Sequence, residues 1–252
     1  MEEEDAREWK LRAGAIPAAL VIALVFHSCD SGHFVQRTAL TMPLHELGHA
    51  VTAWWSGFAA IPSLWKTLIP DERGLGVSVV VASAIAVVIW RGWTTERTWL
   101  AAIGIGLGFC QVIATAMISR WSAQMIITFG GDAGAMVLGT AAMLAFFSGP
   151  GTKLRGGGLR YGFLGIGAAA LVDTFSTWWT ARTGRDVIPF GEIEGVGLSD
   201  PSKLDEQFGW SVAHIVSRYV AVGACCFVVL AGAWLWATWH ARARARSASD
   251  AA

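Results

Sequence analysis

His45-Glu46-Leu47-Gly48-His49 sets two imidazoles at positions i and i+4, one helical turn apart on a single face. That spacing lets both rings bind one zinc ion through nitrogens about 2.0–2.1 Å from the metal. Glu46 follows the first ring directly, where a carboxylate can reach a water on the metal and act as general base. Zinc draws the pKa of such a water toward about 7, so this chemistry can run at neutral pH. Gly48 leaves the helix surface open beside the metal.

An HExxH string also arises by chance, and its surroundings decide between the two readings. Here it lies between Thr38-Ala39-Leu40-Thr41-Met42-Pro43-Leu44 and Ala50-Val51-Thr52-Ala53-Trp54-Trp55, inside an apolar run. Ionisable side chains in such a run carry a desolvation cost and are retained where function needs them. The metal reading therefore outweighs chance.

A catalytic zinc takes a third protein ligand and keeps a fourth position open. Three carboxylates compete for that third place. Asp173 lies in Ala168-Ala169-Ala170-Leu171-Val172-Asp173-Thr174-Phe175, where a lone carboxylate needs a partner, so it is the expected ligand beside His45 and His49. Asp132 follows Gly130-Gly131, read as a turn, and suits an N-cap. Asp200, in Leu198-Ser199-Asp200-Pro201, suits a turn or cap in a polar loop.

The remaining polar residues carry weaker signals. His27 and His33 flank Cys29 and Asp30, and read as an interfacial polar loop in preference to a second metal cluster. His214 reads as a hydrogen-bonding group between helices. Cys29, Cys110, Cys225 and Cys226 include no CxxC spacing, and thiols in apolar runs act as small hydrophobes. Arg182, Arg185, Asp186, Glu192 and Glu194 mark residues 180–209 as a solvated loop, long enough to serve as a lid.

The elements that hold these residues follow from composition. Of 252 residues, 54% are hydrophobic and 15% charged, against about 25% charged in soluble domains; mean hydropathy is +0.48. The expected fold is all-α, a polytopic transmembrane bundle of six to seven helices, in one domain over 1–246 with a disordered tail at 247–252. Candidate spans run from about Leu11 to Phe26, Phe34 to Trp55, Leu75 to Trp90, Thr98 to Ile118, Asp132 to Phe147, Leu159 to Trp179 and Trp210 to Trp239. Tryptophans crowd their ends, among them Trp54, Trp90, Trp93, Trp99, Trp178, Trp179 and Trp239, as headgroup-level rings do. Gly104-Ile105-Gly106-Leu107-Gly108 suits close helix packing. The basic Lys153, Arg155 and Arg160 and the tail Arg242, Arg244 and Arg246 favour the cytoplasm. Counting back through seven spans then puts Arg7, Lys10 and Arg12 outside, so the topology stays open. Lys+Arg and Asp+Glu balance at 19 each, which points to no nucleic-acid partner. The bilayer is the expected environment, and the bacterial inner membrane the expected location.

Met42-Pro43-Leu44-His45-Glu46-Leu47-Gly48-His49-Ala50, followed by Trp54, Trp55 and Gly57, resembles the first motif of the site-2 protease family of intramembrane zinc metalloproteases, in its small bacterial branch. Leu171-Val172-Asp173-Thr174 and Ser199-Asp200-Pro201-Ser202-Lys203-Leu204 resemble the branch's later intramembrane Asp and polar Ser-Asp segment. Thr174-Phe175 follow Asp173 where better-known members have Leu-Asp-Gly or Asn-Pro-Asp-Gly. The resemblance implies a Zn2+-dependent endopeptidase that cuts membrane-embedded substrate helices, with two histidines and an Asp on zinc and the Glu activating water. Water would reach the metal beside Gly48 and the Thr38, Thr41 and Thr52 hydroxyls. A metal-binding or transport protein and a catalytically silent scaffold are the competing functions. The first lacks support from internal repeats, and the second has no use for Glu46.

Overall fold

The structure, a computed structural model, describes residues 2–149, 151–154, 158–184, 188–193 and 197–249. Arg155, Arg185, Asp186 and Glu194 lie outside those residues. The fold is all-α, as expected, apart from two short antiparallel ribbons. Among the described residues five helices are long and apolar enough to cross a membrane: Glu8–His27, Leu75–Thr94, Thr98–Met117, Arg120–Phe147 and Val212–Ala243. Those lengths are consistent with an integral membrane protein, since a span needs about 20 apolar residues.

The chain forms two compact units, where the composition had suggested one domain. The first comprises residues 1–44, 135–190 and 210–252. It contains α1 (Glu2–His27), α2 (Asp30–Val35), a wide-turn segment (Gln36–Thr41), α7 (Leu159–Thr180) and α9 (Val212–Ser249). Here α1 packs on both α7 and α9. Trp234 on α9 donates to the Ala13 carbonyl at 3.0 Å, and Gln36 donates to the Ala169 carbonyl at 3.0 Å. Arg160, counted in the sequence as part of a basic loop, is buried, paired with Glu8 at 3.3 Å and set over the Phe146 and Tyr161 rings. Trp178, expected at the headgroup level, is fully buried and stacked on Tyr219 at 4.2 Å between ring centres, while Trp90, Trp93 and Trp99 are exposed near helix ends and Trp239 is exposed within α9. The helix α9 continues to Ser249, past the tail expected from 247; its Ala-Arg alternation favours helix.

The second unit comprises residues 45–134 and 191–209. It takes in most of α3 (Met42–Trp55), the ribbon of β1 (Ile61–Pro62) and β2 (Thr67–Leu68), α4 (Leu75–Thr94), α5 (Thr98–Val112) and the first half of α6 (Arg120–Leu144). The later stretch adds the ribbon of β3 (Glu192–Ile193) and β4 (Gly197–Leu198) and the short α8 (Asp200–Ser202). Ala50, Ala53, Phe58, Ala60, Ala123 and Ile127 form its core. Arg73 reaches over the Phe58 ring to the carbonyls of Thr115 and Ile118, at 3.1 and 2.8 Å, and so satisfies acceptors at the end of the wide-turn segment Ile113–Met117 that continues α5. Gly104 lets α5 close on Ile89 of α4, the packing its small residues suggested.

One expected boundary is corrected. Gly130-Gly131-Asp132 is not a turn that starts a helix but lies inside α6, which begins at Arg120. The glycines serve approach instead: a Cβ at Gly48 would meet the Gly130 and Gly131 carbonyls and the Gly134 Cα. Absent side chains here bring α3 and α6 backbone to backbone.

Candidate metal centre

The i, i+4 spacing on α3 turns His45 and His49 toward one point, with ring centres 4.7 Å apart and planes at 88°. Their Nε2 atoms lie 3.1 Å from each other. Asp200 completes the triangle: its Oδ2 is 3.2 Å from His45 Nε2 and 2.9 Å from His49 Nε2. Two ligands about 2.0–2.1 Å from a tetrahedral zinc stand about 3.3 Å apart, close to all three separations.

The far nitrogens of both rings are already committed. His45 Nδ1 meets Asp132 Oδ1 at 2.8 Å, and His49 Nδ1 donates to the Ile127 carbonyl at 2.7 Å. A carbonyl or carboxylate on Nδ1 fixes the proton there and leaves Nε2 as a bare electron pair. Two such pairs and a carboxylate oxygen then converge within 3.2 Å. Three acceptors facing one another need positive charge among them. Ring protons would answer some of that need; a divalent metal answers all three at once. The donor set fits such an ion, with imidazole and carboxylate as the ligand types and second partners fixing both rings.

Gly131 of α6 sits directly beside the ligand atoms. A Cβ there would lie 2.6 Å from His49 Nε2 and 2.6 Å from His45 Cε1. The smallest residue thus keeps the face of the group open. Glu46 is buried at 5% exposure, and its Oε2 accepts a hydrogen bond from Thr67 Oγ1 at 2.7 Å. The same hydroxyl lies 2.8 Å from the Glu46 carbonyl. The β1–β2 ribbon therefore holds the carboxylate that follows the first ligand.

Asp200 is delivered by a braced loop. Ser199 caps α8 by accepting from the Ser202 backbone, Pro201 occupies its first turn, and Gly191 N–H donates to Ser202 Oγ at 2.8 Å. Lys203 Nζ stands 3.6 Å from the outer oxygen, Asp200 Oδ1. Burial works against charge on Asp200. Where ring protons stand in for a metal, the His49 and His45 rings outweigh it by Coulombic attraction and hydrogen bonding, and hold the carboxyl well below the usual carboxylate range.

Of the expected site residues, His45, Glu46 and His49 stand together and Asp173 is not in their group. Asp173 does have the partners its burial demanded, but they are others: His27 Nδ1 at 3.3 Å, His33 Nε2 at 3.0 Å and Arg37 at 3.2 Å. The carboxylate that stands with His45 and His49 is Asp200, and Asp132 meets His45 Nδ1 from inside α6 and is no N-cap. His214 stays on its own helix, accepting from Arg218 at 3.4 Å and packing edge-on against Trp210. Thr67 was not singled out in the sequence, where a threonine in a polar stretch carries no signal of a carboxylate folded against it.

Searches against protein-family models, curated proteins and solved structures find no match to this chain.

Proposed function

We propose that the protein is an intramembrane zinc metalloprotease, resembling the small bacterial branch of the site-2 protease family and residing in the bacterial inner membrane. The observation that carries this reading is the pairing of a three-ligand face with its neighbouring carboxylate. His45, His49 and Asp200 would hold Zn2+, and Glu46 follows the first of them with its Oε2 fixed by Thr67. Bound there, zinc would act as a Lewis acid on the scissile carbonyl and acidify water.

The protein's own groups then have assigned tasks. Glu46 takes a proton from the attacking water and later returns it to the departing amine, closing the proton balance of peptide hydrolysis. Asp132 and the Ile127 carbonyl keep the two rings in the tautomer that presents Nε2. Gly131 keeps the approach to the ligand face clear. The substrate is a membrane-embedded helix, which has to unwind locally because an intact helix hides its carbonyls.

The deciding experiment uses the full chain in lipid nanodiscs with a reporter transmembrane helix. Wild type cleaves the reporter, and Glu46→Gln retains zinc while losing cleavage. Unchanged cleavage in Glu46→Gln overturns the mechanism. Tight zinc binding without cleavage of any membrane reporter favours a metal-binding protein.

A further inference from the structure

A second group of the same composition stands in the first unit. His27 ends α1, His33 lies on α2, and Asp173 lies in the middle of α7. Asp173 is fully buried, at 0% exposure, and points one oxygen, Oδ1, at both rings: 3.3 Å to His27 Nδ1 and 3.0 Å to His33 Nε2. The rings meet edge to face with centres 4.6 Å apart, much as His45 and His49 do at 4.7 Å. All three ligand atoms lie within 4.8 Å of one another. The two carboxylate-to-ring separations, 3.3 and 3.0 Å, lie close to the spacing of about 3.3 Å between ligands on a tetrahedral zinc.

Two further features fit an ion here. The group opens onto a cavity of about 450 Å3 lined by His27, His33, Arg37, Ser176, Thr177 and Thr180. Such space admits the water that completes coordination when a protein supplies three ligands. Arg37 binds the other oxygen, Oδ2, at 3.2 Å. It thereby orients the carboxylate from behind and leaves Oδ1 to the two rings, the division of labour expected of an outer partner.

We propose that His27, His33 and Asp173 form a second, structural binding site for a zinc-class divalent cation, separate from the His45–His49–Asp200 group. The ion ties the end of α1, the α2 turn and the middle of α7 together. Neither histidine is followed by a carboxylate, since Ser28 and Phe34 occupy those positions. Without a base beside its ligands the site serves cohesion of the unit and not hydrolysis.

The test measures zinc in the full chain, purified in detergent, stripped with chelator, reloaded with zinc chloride and desalted. Wild type is expected to hold two ions per chain, one for each group. His45→Ala/His49→Ala retains one, His27→Ala/His33→Ala retains one, and the quadruple variant retains none. His33 is half-exposed, so His33→Ala alone guards against misfolding and is expected to lose the same single ion. In the His45→Ala/His49→Ala background, zinc raises the thermal midpoint, and adding His33→Ala removes that rise. Wild-type stoichiometry unaltered by the His27→Ala/His33→Ala and His33→Ala changes overturns the proposal. Zinc lost only on changing His45 and His49 also overturns it and leaves the protease reading intact. Zinc lost only on changing His27 and His33 sustains this site and defeats the other.

Discussion

Two clusters in this protein share a composition, two histidines and an aspartate, and differ in how the rings are held. In the second unit both rings come from one helix at i, i+4, and both Nδ1 atoms are tied, to Asp132 and to the Ile127 carbonyl. In the first unit the rings come from α1 and α2, and His27 Nε2 and His33 Nδ1 have no hydrogen-bond partner among the described residues. The second unit places Glu46 next to a ligand and fixes it with Thr67; the first places Arg37 on the carboxylate. Composition alone therefore would not separate the proposed reactive centre from the proposed tie. What separates them is the tautomer control on the rings and the carboxylate that follows the first of them, since a cation stands on the outer oxygen of both aspartates, Lys203 on Asp200 and Arg37 on Asp173.

The largest effect expected from breaking that distinction is at Glu46. Glu46→Gln keeps the shape and the Thr67 contact but removes the base. Cleavage of a reporter helix is expected to fall by about 10²–10⁴-fold, with zinc content unchanged. Next comes the exchange of third ligands. Asp200→Ala removes a ligand itself, and is expected to weaken zinc at His45 and His49 by more than the roughly 100-fold ceiling for an orienting partner. Asp173→Ala is expected to leave that zinc in place. Metal analysis of the two variants side by side separates the clusters; loss of His45–His49 zinc in Asp173→Ala would restore Asp173 as the ligand.

That exchange also marks the limit of what could be read from the sequence. The all-α fold, the long apolar helices and the HELGH face were legible because hydropathy and the 3.6-residue period are local signals. The carboxylate that joins them from far along the chain was not, because burial in an apolar helix says that Asp173 needs partners without saying which. His27 and His33 lie more than a hundred residues earlier, and nothing in their spacing announces Asp173. Asp200 looked like a turn or cap residue because it precedes Pro201 in a polar loop. Yet Ser199 is the cap and Pro201 marks the first turn, which leaves the Asp200 carboxylate free to point elsewhere. Gly130-Gly131-Asp132 misled in the same way. Paired glycines usually signal a turn, but here they let two helices touch, and Asp132 follows inside α6 where it meets His45.

A smaller effect is expected at Asp132. Asp132→Asn keeps the volume but offers an uncharged acceptor, which itself can turn an N–H toward His45 Nδ1. Loss of the carboxylate that orients His45 is expected to cost about 10–100-fold in zinc affinity. Arg37 stands on Asp173 of the other cluster, so Arg37→Met is expected to leave the His45–His49 zinc unaltered. Competition against a chromogenic chelator measures both.

The smallest effect, and the one that sharpens the comparison most, is at Thr67. Its hydroxyl donates to Glu46 Oε2 at 2.7 Å and touches no ligand. Thr67→Val keeps the β-branched shape that suits β2 and deletes the hydroxyl that faces both Glu46 Oε2 and the Glu46 carbonyl. A hydrogen bond to a charged group at the low end of its range, about 1.5 kcal/mol, corresponds to about tenfold in rate. The fall is expected in kcat, with KM and zinc content held, because substrate binding and the metal ligands are untouched while the base loses its fixed orientation. Thr67→Ser, which restores a hydroxyl, is expected to recover most of the rate. A Thr67→Val protein that lost zinc along with activity would mean the ribbon supports the ligands and not the base. A Thr67→Val protein with full kcat would mean that Glu46 is positioned without it.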